Sequence, residues 1–233
     1  MIIVQDAEEA ALDLPRTYGV DDFPIVVQDR KFLANGNFVV GPYGDSVLVN
    51  GTPHAYLECP AQVVRLRMLN GANSRVFQVG FEDGRTFDVI AGDGGLLNAP
   101  VGVDRTALSN GERVEILLDL TGQEGDSLLL MSFGSELPMT VPGSNNILWE
   151  SSILNGIDFP VLRIRITPPT ADPVTTIPST LGTAVPIPES QATRTRQKPL
   201  TGNGMVGMGM FRIAGQMFDI NVINDTIQLG ATE

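Results

Sequence analysis

Short apolar runs closed by turn dipeptides constrain this chain more than any other feature of its sequence. Phe23–Asp29, Ser46–Asn50, Gln62–Leu69, Val76–Phe81, Thr86–Ala91, Arg113–Leu120, Ser127–Ser132 and Phe159–Ile166 are each five to eight residues long and rich in Val, Ile, Leu and Phe. Ala34-Asn-Gly-Asn37, Asn50-Gly51, Asn70-Gly71 and Glu82-Asp-Gly-Arg85 punctuate them. Runs of that length with such breakers read as strands and turns. No stretch has the 3.6-residue period of an amphipathic helix. Eight or nine strands at this spacing predict an all-β fold, a Greek-key antiparallel β-sandwich over about residues 20–167. The Asp83-Gly84 turn predicts a hairpin between Val76–Phe81 and Thr86–Ala91. In Gln62–Leu69 the alternation sends Val64, Leu66 and Met68 to a core and Arg65 and Arg67 mostly to solvent.

The ends differ from this middle. Residues 1–5 are an apolar β-branched run that reads as a lone strand, and residues 6–22 carry six acids against Arg16, which predicts an exposed connector. Residues 168–204 hold seven prolines among Thr and Ser, a composition that predicts an extended, polyproline-like linker rather than core. Beyond it, Met210–Asp219 reads as a strand and turn and Thr226–Leu229 as a further strand. Two strands cannot bury a face alone, so both ends read as pieces of neighbouring domains.

Composition excludes several functions. Fifteen Lys and Arg against 27 Asp and Glu give a net charge of −12, which argues against nucleic acid and anionic membrane surfaces. No run approaches the roughly 18 to 20 apolar residues of a membrane span, and the first residues lack the basic start and cleavage site of a secretory signal. An export signal on an upstream part stays open.

One histidine and one cysteine in 233 residues exclude a multi-histidine copper, zinc or iron centre. His54 follows Pro53 in a turn region and reads as a surface residue. Cys59, before Pro60, reads as a small buried hydrophobe. Asp88 with Asp93, or Glu112 with Glu115, are carboxylate pairs that in an acidic β-protein read as solvated rather than catalytic. Gly92-Asp93-Gly94-Gly95 lacks the helix and lysine of a phosphate loop and reads as a turn using glycines at positive φ. Asn70, Asn73 and Arg75, with Glu112 and Arg113, read as residues that fix loop ends. Met205, Met208 and Met210, in a glycine-rich stretch, are soft donors suited to Cu(I), or gap-fillers.

Leu48-Val-Asn-Gly51, Val64-Arg-Leu-Arg-Met-Leu-Asn-Gly-Ala-Asn-Ser-Arg75, Val89-Ile-Ala-Gly-Asp-Gly-Gly-Leu-Leu97 and Asn110-Gly-Glu-Arg-Val-Glu115 occur in that order. Together they resemble the second cupredoxin domain of a three-domain bacterial multicopper oxidase, of the copper-efflux and spore-coat laccase type. Phe211–Asn221 resembles the opening of that family's third domain, and Ile2–Asp6 the closing strand of its first. The resemblance implies residues 1–19 as the end of a first domain plus connector, 20–167 as a complete cupredoxin-like domain, 168–204 as linker and 205–233 as opening strands of a third. It implies a parent that oxidises phenols or Cu(I) and reduces O2 to water, in a periplasmic or extracellular setting. The family's copper ligands lie in His-x-His and His-Cys-His motifs, which this chain lacks. The resemblance therefore implies a linking scaffold, inactive alone and without copper, whose partners are the first and third domains. Asn70, Arg75, Gly92, Asp93, Gly94 and Glu112 match its structural loop motifs.

Two other readings stand beside it. One is a free-standing, copper-less interaction module; the other is an enzyme completed by neighbouring chains. Exposed strand edges near residues 1–5 and 206–229 predict self-association. Light scattering showing a strict monomer over a wide concentration range would count against that.

Overall fold

A computed structural model describes residue 3 and residues 6–145, 152–202 and 211–233. The chain divides into two compact units, Met1–Ala184 and Val185–Glu233. The first holds a short helix α1 (Ala7–Ala10) and strands β1 (Asp22–Phe32), β2 (Phe38–Val39), β3 (Ser46–Val49), β4 (Thr52–Pro53), β5 (Tyr56–Pro60), β6 (Val63–Asn70), β7 (Phe77–Phe81), β8 (Phe87–Gly92), β9 (Gly95–Val103), β10 (Thr106–Leu108), β11 (Arg113–Asp119), β12 (Ser127–Phe133) and β13 (Asp158–Thr167). The second holds β14 (Leu200–Thr201) and β15 (Arg212–Ile213).

In the first unit one sheet runs β4-β3-β1-β6-β11-β8-β9, with β2 paired to β1, and the other runs β10-β7-β12-β13-β5. This is the expected all-β sandwich. Most neighbours are antiparallel; β1 with β6 and β13 with β5 are parallel, because chain passing between the sheets separates the partners. Period-two alternation builds the core between the layers. Ile25 and Val27 from β1, Leu66 and Met68 from β6, and Ile116 and Leu118 from β11 face Phe77, Val79 and Phe81 from β7 and Leu130 and Ile164 from β12 and β13.

The strand pair around Asp83-Gly84 is not a hairpin. Strand β7 belongs to the smaller sheet and β8 to the larger one. Phe81 and Phe87 are both buried apolar rings. By crossing between sheets the chain brings them edge to face inside the core, with centroids 5.8 Å apart. Gly84, at φ +73°, makes the turn. Strand β9 has no counterpart among the sequence runs. Its Gly, Asn and Pro residues depress strand propensity, and Pro100 is accommodated because β9 is an edge.

The flanking segments of this unit depart from expectation. The acidic stretch 6–22 is the exposed connector expected only in part, for Glu9, Leu14, Pro15, Asp21 and Asp22 within it are buried. Asp6 caps α1 by accepting from Glu9 N at 2.8 Å, and Arg16 donates to the carbonyls of Ala10, the last residue of α1, and of Leu12 and Leu14 beyond it. Leu14, Asp21 and Asp22 are buried. The first part of the proline-rich segment packs as well. Leu14 and Leu181 share a second hydrophobic cluster with Val63, Ile90 and Leu117 on the outer face of the larger sheet, joined by Val174 and Ile177. Proline fixes an extended backbone, and that lets spaced apolar side chains of the segment reach the sheet without forming a strand.

In the second unit β14 and β15 form a two-stranded ladder. Residues 226–229 form no strand; Thr226 O accepts from Arg196 instead of a ladder partner. Arg196 also pairs with Asp225 and Glu233, and Lys198 with Asp225. Phe211, Phe218, Ile220, Ile223 and Leu229 are exposed in this unit. Apart from Ile3, the strand expected over residues 1–5 lies outside the described residues.

Candidate functional site

A network of buried ion pairs lies on the outer face of the larger sheet. Cross-strand register sets Glu115 of β11 opposite Arg67 of β6, and Arg65 lies two residues away on the same face. Arg65 Nη1 donates to Glu9 Oε1 at 2.6 Å, and its Nε donates to Glu115 Oε2 at 2.8 Å. Arg67 forks onto Asp22, with Nε to Oδ1 and Nη2 to Oδ2 both at 2.8 Å, and its Nη1 reaches Glu115 Oε1 at 2.7 Å. The Arg65 and Arg67 side chains are only 2% and 5% exposed, so neither arginine faces solvent as the alternation predicts. The incoming segment lays Glu9 over this face, and Asp22 joins it as the first residue of β1, beside β6. Burial works against the Arg67 charge, but hydrogen bonds and attraction from Asp22 and Glu115 outweigh it and hold its pKa above the ordinary value. One sequence signal existed: two arginines interrupting an apolar strand in a chain whose upstream stretch carries six acids.

A second network closes one end of the sandwich around Arg75, whose side chain is 1% exposed. Its Nε donates to Asp29 Oδ2 at 2.9 Å, Nη1 to Leu154 O at 3.2 Å and Nη2 to Ser152 Oγ at 3.1 Å. The rings of Tyr43 and Phe159 lie 5.3 and 5.8 Å from the guanidinium carbon. Asn70, fully buried, donates from Nδ2 to Arg75 O and Leu108 O, each at 2.8 Å, and accepts from Ala72 N at 2.9 Å. Asn73 Nδ2 donates to Gly41 O, and Glu112 accepts from Ser109 N at 2.7 Å.

The carboxylates of the two pairs have separate surroundings. Asp93 is taken by Arg113 at 2.6 Å, and burial raises the Asp88 pKa. Glu115 is engaged by the two arginines. Gly92-Asp93-Gly94-Gly95 is the β8–β9 hairpin, where Gly92 pairs with Gly95. Gly95 has φ +102°, but Gly92 and Gly94 do not have positive φ, so glycine is required only where the chain re-enters β9.

The single histidine and the single cysteine stand in different surroundings. His54 is exposed at a left-handed turn with φ +50°, whereas Cys59 has no exposed surface and sits in the core on β5. Burial pushes the Cys59 thiol up to about 12, far from the thiolate that copper requires. Among the described residues no three His, Cys, Asp or Glu side chains gather at a metal-sized site. Met205, Met208 and Met210 lie outside the described residues. Among the described residues no helix is long and apolar enough to cross a membrane.

The pattern has known counterparts. A family model described as multicopper oxidase matches residues 23–145. Cell division protein FtsP of Salmonella typhimurium is 35% identical over 248 residues, covering 100% of this chain and 48% of that protein. FtsP of Pectobacterium atrosepticum is 37% identical over 244 residues, covering 99% and 48%. This chain thus spans about half the length of the curated relatives it matches. Among solved structures, the bacterial laccase-like multicopper oxidase CueO of Ochrobactrum sp. superposes with a TM-score of 0.79 at 28% identity, covering 97% of this chain and 51% of that one. The multicopper oxidase McoA of Aquifex aeolicus gives 0.75 at 29% identity, covering 91% and 45%. Those neighbours are cupredoxin-like, as is this sandwich.

Proposed function

Because this chain belongs to the multicopper oxidase family, we propose that it is the linking scaffold of a longer protein of that family and carries out no oxidation itself. One observation carries the reading: the segments entering and leaving the sandwich are both bound to the outer face of the larger sheet, Glu9 and Asp22 by ion pairs and Leu14 and Leu181 by burial. A free-standing module has no need to fix its own ends so firmly. The donor chemistry agrees, since the one thiol is held protonated in the core and the one imidazole stands apart from it at the surface.

The test is copper titration of the purified chain followed by dialysis and an oxygen-uptake assay with a phenolic substrate. The expected result is no retained stoichiometric copper and no turnover. Retained copper with turnover would overturn the scaffold reading.

We further place the longer protein in cell division, on the strength of relatives named for division that align with the whole chain, and, from the resemblance to its family alone, in the periplasm or outside the cell. Fractionation of the native host and cell length after deletion of the gene check this; normal length and a cytoplasmic location would oppose it. The second reading, a laccase-like oxidase whose copper lies in flanking domains, draws on the solved oxidases. In-frame His-x-His and His-Cys-His codons in the flanking DNA would favour it. The exposed Phe211, Phe218 and Ile223 of the second unit mark the surface we assign to a partner domain or, in its absence, to self-association.

A further inference from the structure

Gln62 has no exposed surface, and its single side-chain amide touches both segments that cover the larger sheet. Its Oε1 accepts from Thr170 Oγ1 at 2.7 Å and Thr170 N at 3.1 Å, in the outgoing segment. Its Nε2 donates to Asp21 Oδ2 at 3.4 Å, in the incoming one. The backbone repeats the link on either side. Val63 N donates to Val174 O at 2.8 Å, and Arg65 N donates to Asp21 O at 2.7 Å. Farther along, Leu14 from one segment and Leu181 from the other are buried in one cluster over Val63, Ile90 and Leu117. Asn98 of β9 then pins the outgoing chain. Its backbone oxygen accepts from Leu181 N at 2.9 Å, and its side chain accepts from Ala184 N at 2.7 Å and donates to Ala184 O at 3.1 Å.

We propose that residues 6–22 and 168–184 are a coupled pair of straps, joined through Gln62 and the Leu14–Leu181 cluster, so that displacing one loosens the other. The physical basis is shared partners. A core apolar site loses packing when its neighbour leaves, and an amide that bridges two segments holds each less well once the other is gone; groups sharing partners in this way are not additive. Apart from Asp22, which opens β1, neither strap forms a ladder with the sheet, so both can open below the free energy of global unfolding. A load or partner acting on chain before Asp6 is thereby felt by chain after Ala184. That consequence rests on the linking reading above; the coupling itself does not, and it would survive the discovery of oxidase activity.

The experiment is native-state amide hydrogen exchange on the full chain in four forms: the unaltered protein, Leu14→Ala, Gln62→Met, and both together. Leu14→Ala is expected to speed exchange at Leu181 and Gly182 by about tenfold, while Leu66 and Met68 inside the sheet keep their rates. The double variant is expected to speed it by less than the product of the two single factors, because the second change cuts a link already cut. Acceleration confined to residues 6–22 would overturn the coupling, and a full product would remove Gln62 from it. Should Leu14→Ala accelerate every amide by one common factor, Leu14→Val is read in its place. Faster exchange at Leu181 with Leu66 unchanged then supports the coupling, and unchanged Leu181 overturns it.

Discussion

Arg75→Met lowers the stability of this chain by about 3–5 kcal/mol, the cost of leaving one partner of a buried ion pair uncompensated. Methionine is long enough to fill much of the arginine's space, so the loss comes from charge and hydrogen bonding rather than from a void. Asp29 is 2% exposed, and its other partner through Oδ2 is the backbone N–H of Gly44, at 2.8 Å. Without the guanidinium its charge has no counter-ion, and Leu154 O loses the donor that Arg75 Nη1 supplies. A domain of this kind is worth about 5–15 kcal/mol in total, so the loss is a large share of its stability. Urea denaturation followed by circular dichroism measures it as a fall in midpoint at constant slope. Adding Asp29→Leu to Arg75→Met is expected to recover at least half of the loss, because an apolar pair replaces an orphaned charge. A loss under about 1 kcal/mol for Arg75→Met, the scale of a surface pair, would mean that water reaches Asp29.

Strand existence was legible in this sequence because period-two alternation and turn dipeptides are local. The runs containing Leu66, Ile116 and Leu130 became β6, β11 and β12. Sheet membership was not legible. Asp83-Gly84 has the same local chemistry in a hairpin as in a crossing between sheets, and only the burial of both Phe81 and Phe87 between the layers decides for the crossing. Which face of a strand is wet was not legible either. Arg65 and Arg67 occupy the positions that alternation assigns to solvent, yet both are buried against Glu9 and Asp22 from a stretch whose own composition reads as exposed. A polar residue on an outward face and its polar cover each look solvated when taken alone; the pairing that buries them is long-range. The burial of Cys59 was legible, because a lone cysteine in an apolar run packs as a small hydrophobe.

Arg67→Leu shows how much that hidden pairing is worth, with an expected loss of about 3–5 kcal/mol, against less than about 1 kcal/mol for Arg113→Ala. The two arginines make ion pairs of similar length, 2.8 Å to Asp22 and 2.6 Å to Asp93, so distance does not separate them. Burial does. The Arg67 and Asp22 side chains are 5% and 3% exposed, whereas those of Arg113 and Asp93 are 51% and 49% exposed. The exposed pair is solvated and screened by salt, and losing it returns both groups to water. The buried pair has no water to return to, and leucine at position 67 leaves Asp22 without the fork that held both its oxygens. Raising salt to about 1 M, where screening acts within about 3 Å, therefore shrinks any effect of Arg113→Ala and leaves that of Arg67→Leu in place. Arg67→Lys restores less than half, since a single ammonium cannot both fork onto Asp22 and reach Glu115. Because Asp22 anchors the incoming segment, the loss appears there first, as proteolytic cleavage within residues 6–22 at urea concentrations where the sandwich remains folded. Equal losses for Arg67→Leu and Arg113→Ala, or cleavage no earlier than global unfolding, would show that the acidic segment is a solvated connector after all and that the sheet does not need its cover.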